Sequence, residues 1–190
     1  MWRFITREKI RYVQFIPCLD DLGETRASRY ALRPARFAAF YSRLFHWWKL
    51  ELEAGNYVSV KLFDDVAQLF FRNNPTACGI AGRCYTHYVV EADGETYPCD
   101  FYALDEYRTG NLATQTPQVI FNSERMQSFL GDYPPLPKPC GDCAWFKACG
   151  GGCKRMRNVM YHGGDSAMCG FKAFLDKCLG PLEEALHRFF

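Results

Sequence analysis

The period of the apolar positions changes along the chain, and each change marks an element. From Pro34 to Leu52 the apolar residues fall at Phe37, Phe40/Tyr41, Leu44/Phe45, Trp48 and Leu52. Steps of three and four put them on one face of an amphipathic helix. Pro34 suits the first turn of that helix, and Gly55-Asn56 is its stop signal. Upstream, Tyr12 to Ile16 (YVQFI) is a short apolar run closed by Pro17, which predicts a buried strand. Downstream, residues 57–63 (YVSVKLF) alternate and are rich in strand formers, which predicts another. Residues 1–11 read as the end of a helix, and the polar stretch 18–33 as a loop. Strand, helix, strand is one piece of a parallel α/β layer.

Past Asp64-Asp65 a helical turn (VAQLFF) leads to Asn73-Asn74-Pro75, a turn signal that predicts a domain boundary after residue 73. Residues 85–101 read as a β-hairpin, with Asp93-Gly94 supplying the positive φ angles of a tight turn. Residues 102–139 hold short irregular elements and end in YPPLPKP, a stiff, extended run that delivers the chain to Cys140. The stripe Phe171, Phe174/Leu175, Leu179, Leu182, Leu186 and Phe189 predicts a closing helix over 171–190, kinked at Gly180-Pro181. The expected fold class is α/β passing into α+β, with residues 1–73 as one domain and 74–190 as another.

Composition narrows the picture. The chain has 190 residues, 48% of them hydrophobic and 16% aromatic, enough for a packed core. A net charge of +2 points to neither nucleic acid nor membrane as a partner. Charges interrupt every apolar run of MWRFITREKIRYVQF, so neither a signal peptide nor a transmembrane span is expected there. Ten cysteines without an export signal imply a reducing, cytoplasmic compartment, where clustered cysteines bind metals more often than they pair.

Eight of those cysteines fall into two groups. Cys140, Cys143, Cys149 and Cys153 have the spacing C-x2-C-x5-C-x3-C; Cys78, Cys84 and Cys99 lie upstream, and Cys169 comes after them. A four-cysteine site can be a disulfide knot, tetrahedral zinc or an iron–sulfur cluster. Zinc favours paired C-x2-C knuckles, and there is one such pair here, Cys140/Cys143. Staggered spacing suits a cubane, whose corners need thiolates arriving from several directions. Gly150-Gly151-Gly152 fits the same reading, since bare glycines let the chain wrap closely and turn amides towards sulfide. Spacing favours iron–sulfur and leaves zinc open.

The pattern Cys78-x15-Gly94-x4-Cys99, then Cys140-x2-Cys143-x5-Cys149-x3-Cys153, then Cys169, resembles the SPASM signature. That signature marks auxiliary-cluster domains of radical S-adenosylmethionine enzymes. With Cys84, VVEADGETYPCDFY (89–102), Gly110-Asn111 and QFIPCLD (14–20), the chain is similar to anaerobic sulfatase-maturating enzymes, which convert a Cys or Ser of a sulfatase to formylglycine. The resemblance implies a C-terminal remnant of a parallel barrel in residues 1–73, then an irregular α+β SPASM domain with a hairpin. It implies two [4Fe–4S] clusters, one on Cys78, Cys84, Cys99 and Cys153 and the other on Cys140, Cys143, Cys149 and Cys169. Asp100 matches the carboxylate proposed as general base in the family. An unfolded sulfatase polypeptide is the implied substrate of an intact enzyme, in which the substrate radical passes its electron to an auxiliary cluster and on to an electron-carrier protein. The family's C-x3-C-x2-C motif, which holds a third cluster and S-adenosylmethionine, does not occur in this chain. The expectation is therefore a C-terminal fragment, inactive by itself. A SPASM peptide maturase with another substrate, and a non-catalytic zinc or iron–sulfur peptide-binding module, are the alternatives.

The remaining candidates have plainer readings. Cys18 and Cys178 are expected as small buried hydrophobes, with Cys18 alternatively facing a substrate cavity. His46, His87, His162 and His187 lack a partner pattern; His162, near Cys169, is the one placed to support a ligand. Trp47-Trp48 reads as core and interface. Lys154, Arg155 and Arg157 either balance cluster charge or lie in solvent. Without the resemblance, Asp100 reads as a turn residue capping the hairpin.

Overall fold

Proline at the first turn and a left-handed glycine after the last define the helix that carries the longest apolar stripe. The structure, a computed structural model, describes residues 1–23, 28–162 and 168–189. In chain order they form α1 (Trp2–Arg7), β1 (Tyr12–Val13), α2 (Pro34–Glu53), β2 (Ser59–Val60), α3 (Lys61–Arg72) and α4 (Cys78–Ala81). Next come strands β3 (Val89–Val90), β4 (Glu95–Tyr97) and β5 (Gly110–Asn111), then α5 (Pro117–Phe121), α6 (Glu124–Gly131), α7 (Phe146–Cys149) and α8 (Gly170–Phe189). The chain divides into two units, Met1–Gly82 with Leu136–Phe190, and Arg83–Pro135.

The first unit is built on aromatic packing. Every residue of the predicted α2 stripe except the half-buried Phe40 is buried. Phe63 of α3 stacks on Phe174 of α8 with ring centroids 5.9 Å apart, and meets Phe45 edge-on at 5.5 Å. Phe37 meets Tyr161 at 5.5 Å, and Tyr161 meets Phe171 at 5.3 Å. Burial of a side chain of this size contributes about 1.5–3 kcal/mol, so these rings dominate the unit. Trp48 Nε1 donates to the Val58 carbonyl at 2.8 Å, which ties α2 to the approach of β2. Strands β1 and β2 pair in parallel, Tyr12 with Ser59 and Val13 with Val60, as the strand–helix–strand reading requires. In the loop after β1, residues 24–27 lie outside the described residues; Asp20 there pairs with Arg33 at 2.8 Å.

Two expected strands are shorter than their sequences suggested. The run 12–16 contributes only Tyr12–Val13 to the ladder, and Tyr12 and Ile16 are 81% and 77% exposed rather than buried. Among the described residues β1 pairs with β2 alone, so the rest of the run has no ladder, and Phe15 is its one residue turned onto the core, meeting Phe40 at 5.3 Å. The run 57–63 gives way to helix at Lys61. There Phe63, Val66 and Leu69 recur at three-residue steps on the buried face, and Lys61 reaches Asp65 one turn on. Buried Asp65 also accepts from Thr76 Oγ1 at 2.6 Å, which satisfies a carboxylate that would otherwise be costly to bury.

The second unit, Arg83–Pro135, holds the hairpin. Val89 pairs with Tyr97 and Val90 with Thr96, and β5 extends the sheet on the other side of β4, Thr96 opposite Gly110. Gly94 alone supplies a positive φ (+86°), and Asp93 does not. The turn closes by the Gly94 amide donating to the Glu91 carbonyl at 2.9 Å. Tyr97, Ile120, Met126 and Phe129 form its small buried set. The closing helix runs from Gly170 through Pro181 to Phe189, with residue 190 outside the described residues. No helix among the described residues is long and apolar enough to cross a membrane.

Candidate metal centre

The cysteine-rich segment folds as a series of tight turns. A 3₁₀ turn at Lys138–Cys140 comes after the proline run, and the Cys143 amide donates to the Cys140 carbonyl at 3.3 Å. Helix α7 ends on Cys149, and Gly150, Gly151 and Gly152 then take φ of +52°, +83° and +71°. Three successive left-handed residues are open in practice to glycine alone. A Cβ on Gly152 would also lie 2.5 Å from the Tyr161 ring. Cys169 sits just before α8, where the Lys172 amide donates to its Sγ at 3.3 Å.

This folding brings Cys140, Cys143, Cys149 and Cys169 to the wall of one pocket, with Gly151, Gly152, Tyr161, His162 and Phe171 among its other lining residues. All of them belong to the first unit. Burial pushes the Cys149 thiol up to about 11, against the pull of the Gly151 amide. Burial likewise raises Cys140 and Cys169, the neighbouring thiols adding to it. Four soft donors crowded in an apolar pocket suit a thiophilic metal, which stabilises the thiolate form that burial alone disfavours. The residues present therefore fit an iron–sulfur cluster.

His162 is 5% exposed, and its Nε2 lies 3.5 Å from Cys140 Sγ. Arg157, in a π-helical turn over Arg157–Tyr161, is 2% exposed; its Nε donates to the Gly151 carbonyl at 3.0 Å. The sequence left Arg157 between charge balance and solvent, and the structure buries it. Arg155 instead reaches the Asp20 carbonyl. Trp145 lines the same pocket and donates to Asp176 at 2.7 Å. Neither Tyr161 nor Asp176 stood out in the sequence, because each belongs to the site through packing rather than spacing.

The other four cysteines are divided between the units. Cys78 opens α4, and the Cys153 amide donates to the adjacent Gly79 carbonyl at 2.8 Å, so these two segments meet within the first unit. Cys84 and Cys99 belong to the second, where the Cys84 amide donates to Tyr133 Oη at 2.5 Å. Asp100 is exposed at the head of a 3₁₀ turn, and its Oδ1 lies 3.3 Å from Cys99 Sγ. Among the described residues, no three His, Cys, Asp or Glu side chains converge on one point as ligands of a single metal ion. Cys178 is buried in the core as expected. Cys18 is exposed rather than buried. His46, His87 and His187 are exposed, Trp48 is core, and Trp47 is exposed.

Residues 78–144 match the family model of the SPASM iron-sulfur cluster-binding domain, which defines the class of the site. A cysteine-type anaerobic sulfatase-maturating enzyme of Clostridium novyi is 35% identical over 186 residues, 96% of this chain and 50% of that protein. A serine-type enzyme of Bacteroides thetaiotaomicron is 26% identical over 172 residues, 82% of this chain and 41% of that protein. The solved structure of native anSMEcpe with bound AdoMet and Kp18Cys peptide superposes with a TM-score of 0.86 at 31% identity. It covers 98% of this chain and 53% of its own. The chain thus corresponds to a C-terminal portion of a radical S-adenosylmethionine/SPASM enzyme of the anaerobic sulfatase-maturating type. It spans about half the length of the curated relatives it matches.

Proposed function

We propose that these residues form the auxiliary-cluster part of an oxidoreductase that converts a sulfatase cysteine to formylglycine. The observation that carries this reading is the single pocket lined by Cys140, Cys143, Cys149 and Cys169. They would hold one [4Fe–4S] cluster, and Cys78, Cys84, Cys99 and Cys153 a second. Such clusters take up one electron at a time, which an oxidation of this kind must dispose of. On this reading residues 1–73 are the barrel remnant and 74–190 the SPASM domain. Asp100, exposed beside Cys99, would accept a proton at its carboxylate from the bound substrate. The higher identity to cysteine-type than to serine-type relatives supports a cysteine target. An unfolded sulfatase peptide is the substrate and an electron-carrier protein the partner, in the cytoplasm.

S-adenosylmethionine needs an iron with an open position. A cluster held by three cysteines provides one, and a cluster held by four does not. These 190 residues lack C-x3-C-x2-C, so by themselves they would not cleave it. The test is anaerobic reconstitution with iron and sulfide analysis. Close to two clusters per chain is expected, unchanged in Cys178→Ala and reduced by about half in Cys143→Ala. Zinc with negligible sulfide from iron-replete, anaerobic preparations would leave the non-catalytic module. Clusters without 5′-deoxyadenosine formation are the expected result with dithionite and S-adenosylmethionine.

A further inference from the structure

The wall of the four-cysteine pocket is arranged to hold added negative charge. The Lys172 amide donates to the Cys169 sulfur from the first turn of α8. The Gly151 amide acts on the Cys149 sulfur in the same sense. Arg157 brings a buried guanidinium to the carbonyls of Gly150 and Gly151, at 3.5 and 3.0 Å, and Gly151 itself lines the pocket. His162 serves a third sulfur of this set, that of Cys140. A cysteine sulfur that ligates a cluster carries no hydrogen, so in this pair the imidazole must supply one. Placed on Nδ1, that hydrogen would be a buried donor with no partner among the described residues. Placed on Nε2 it faces Cys140 Sγ at 3.5 Å, a distance that the large sulfur atom allows. Orphaned buried N–H groups are costly and rare, which selects the Nε2–H tautomer.

We infer that His162 is a positioning residue for electron storage: its Nε2–H bonds the Cys140 sulfur and, together with buried Arg157, stabilises the reduced form of this site. The inference rests on the ligand set proposed above. Adding one electron to the cluster increases negative charge on its cysteine sulfurs, and an N–H directed at sulfur interacts more strongly with that charge. At Cys99 the neighbour is instead a carboxylate, Asp100, 3.3 Å from sulfur, which opposes added charge. The electron is thereby favoured at the Cys140 site.

The test uses the full chain in a Cys99→Ala background, so that the midpoint belongs to the Cys140 site. Wild-type His162, His162→Phe and His162→Gln are reconstituted anaerobically and titrated with dithionite, the reduced cluster being monitored by electron paramagnetic resonance. At equal iron and sulfide content, His162→Phe should lower the reduced-to-oxidised ratio at fixed potential about tenfold, or about 59 mV for a one-electron couple. His162→Gln, whose side-chain amide can donate, should recover most of that shift. An unchanged midpoint in His162→Phe, no recovery in His162→Gln, or loss of iron from both variants would overturn the inference. Parent protein that takes up no iron and sulfide would end the proposed function along with it. A loaded parent with an indifferent midpoint would end the inference alone.

Discussion

In the unit formed by Met1–Gly82 and Leu136–Phe190, Phe37, Phe63 and Phe174 are almost wholly buried and linked by ring contacts through α2, α3 and α8. In Arg83–Pro135 the longest helix has eight residues and the strands have two or three. Its order comes from turns and caps: Gly94 in the hairpin, Thr116 Oγ1 accepting from the Val119 amide, and Ser123 Oγ accepting from the Met126 amide. About fifty residues with so small a core are marginal without a staple. Cys84 and Cys99 lie in this weaker unit. On the ligand set proposed above, the first unit would be held by apolar burial and the second by a metal bound at Cys84 and Cys99.

Removing the metal should have the widest effect, spread over a whole unit, and should be lopsided. Chelation of reconstituted protein is expected to lower hydrogen-exchange protection across 83–135 at least 100-fold, about 2.7 kcal/mol. Amides of α2 should change by less than tenfold. Equal losses in both units would break the comparison. Next comes Phe63→Ala, which removes a ring packed against Phe45, Trp48 and Phe174. It should cost about 3–5 kcal/mol in urea unfolding of the first unit, with hairpin amides little affected. A cost below about 1 kcal/mol would show that this core is not tightly packed. The smallest effect is Gly94→Ala, where φ is +86° and a Cβ would lie 2.6 Å from Asn111 Oδ1. About 1–2 kcal/mol should be lost, confined to exchange at residues 89–97. Spread of that loss into α2 would mean that the two units unfold together.

Where one element carries its own periodicity, the sequence was enough. The α2 stripe from Phe37 to Leu52, Pro34 at its start and Gly55 after its end were all readable, because a helix face is a local property of spacing. So was the hairpin around Gly94, since a tight turn needs a residue that tolerates positive φ. The strand read over 57–63 failed at Lys61, where a short apolar run fits either period. There Phe63, Val66 and Leu69, packed with α8, decided for helix. Tyr12–Ile16 failed for the complementary reason: a buried strand requires neighbours on both sides, and spacing cannot supply them.

The same division runs through the metal centre. Cys140, Cys143 and Cys149 announce themselves by spacing, and Gly150-Gly151-Gly152 by a backbone conformation closed to other residues. That Cys169 joins them depended on where α8 begins. Sequence position marked His162 and Arg157 as candidates beside the cysteines but could not say that either is buried, since an isolated histidine or arginine is usually a surface residue. What the sequence determined by itself was the local geometry: helix faces, turns and the thiols available for a metal. Only the tertiary structure decided which polar groups were buried against those thiols, because burial is a property of the neighbours that folding assembles rather than of the residue that is buried.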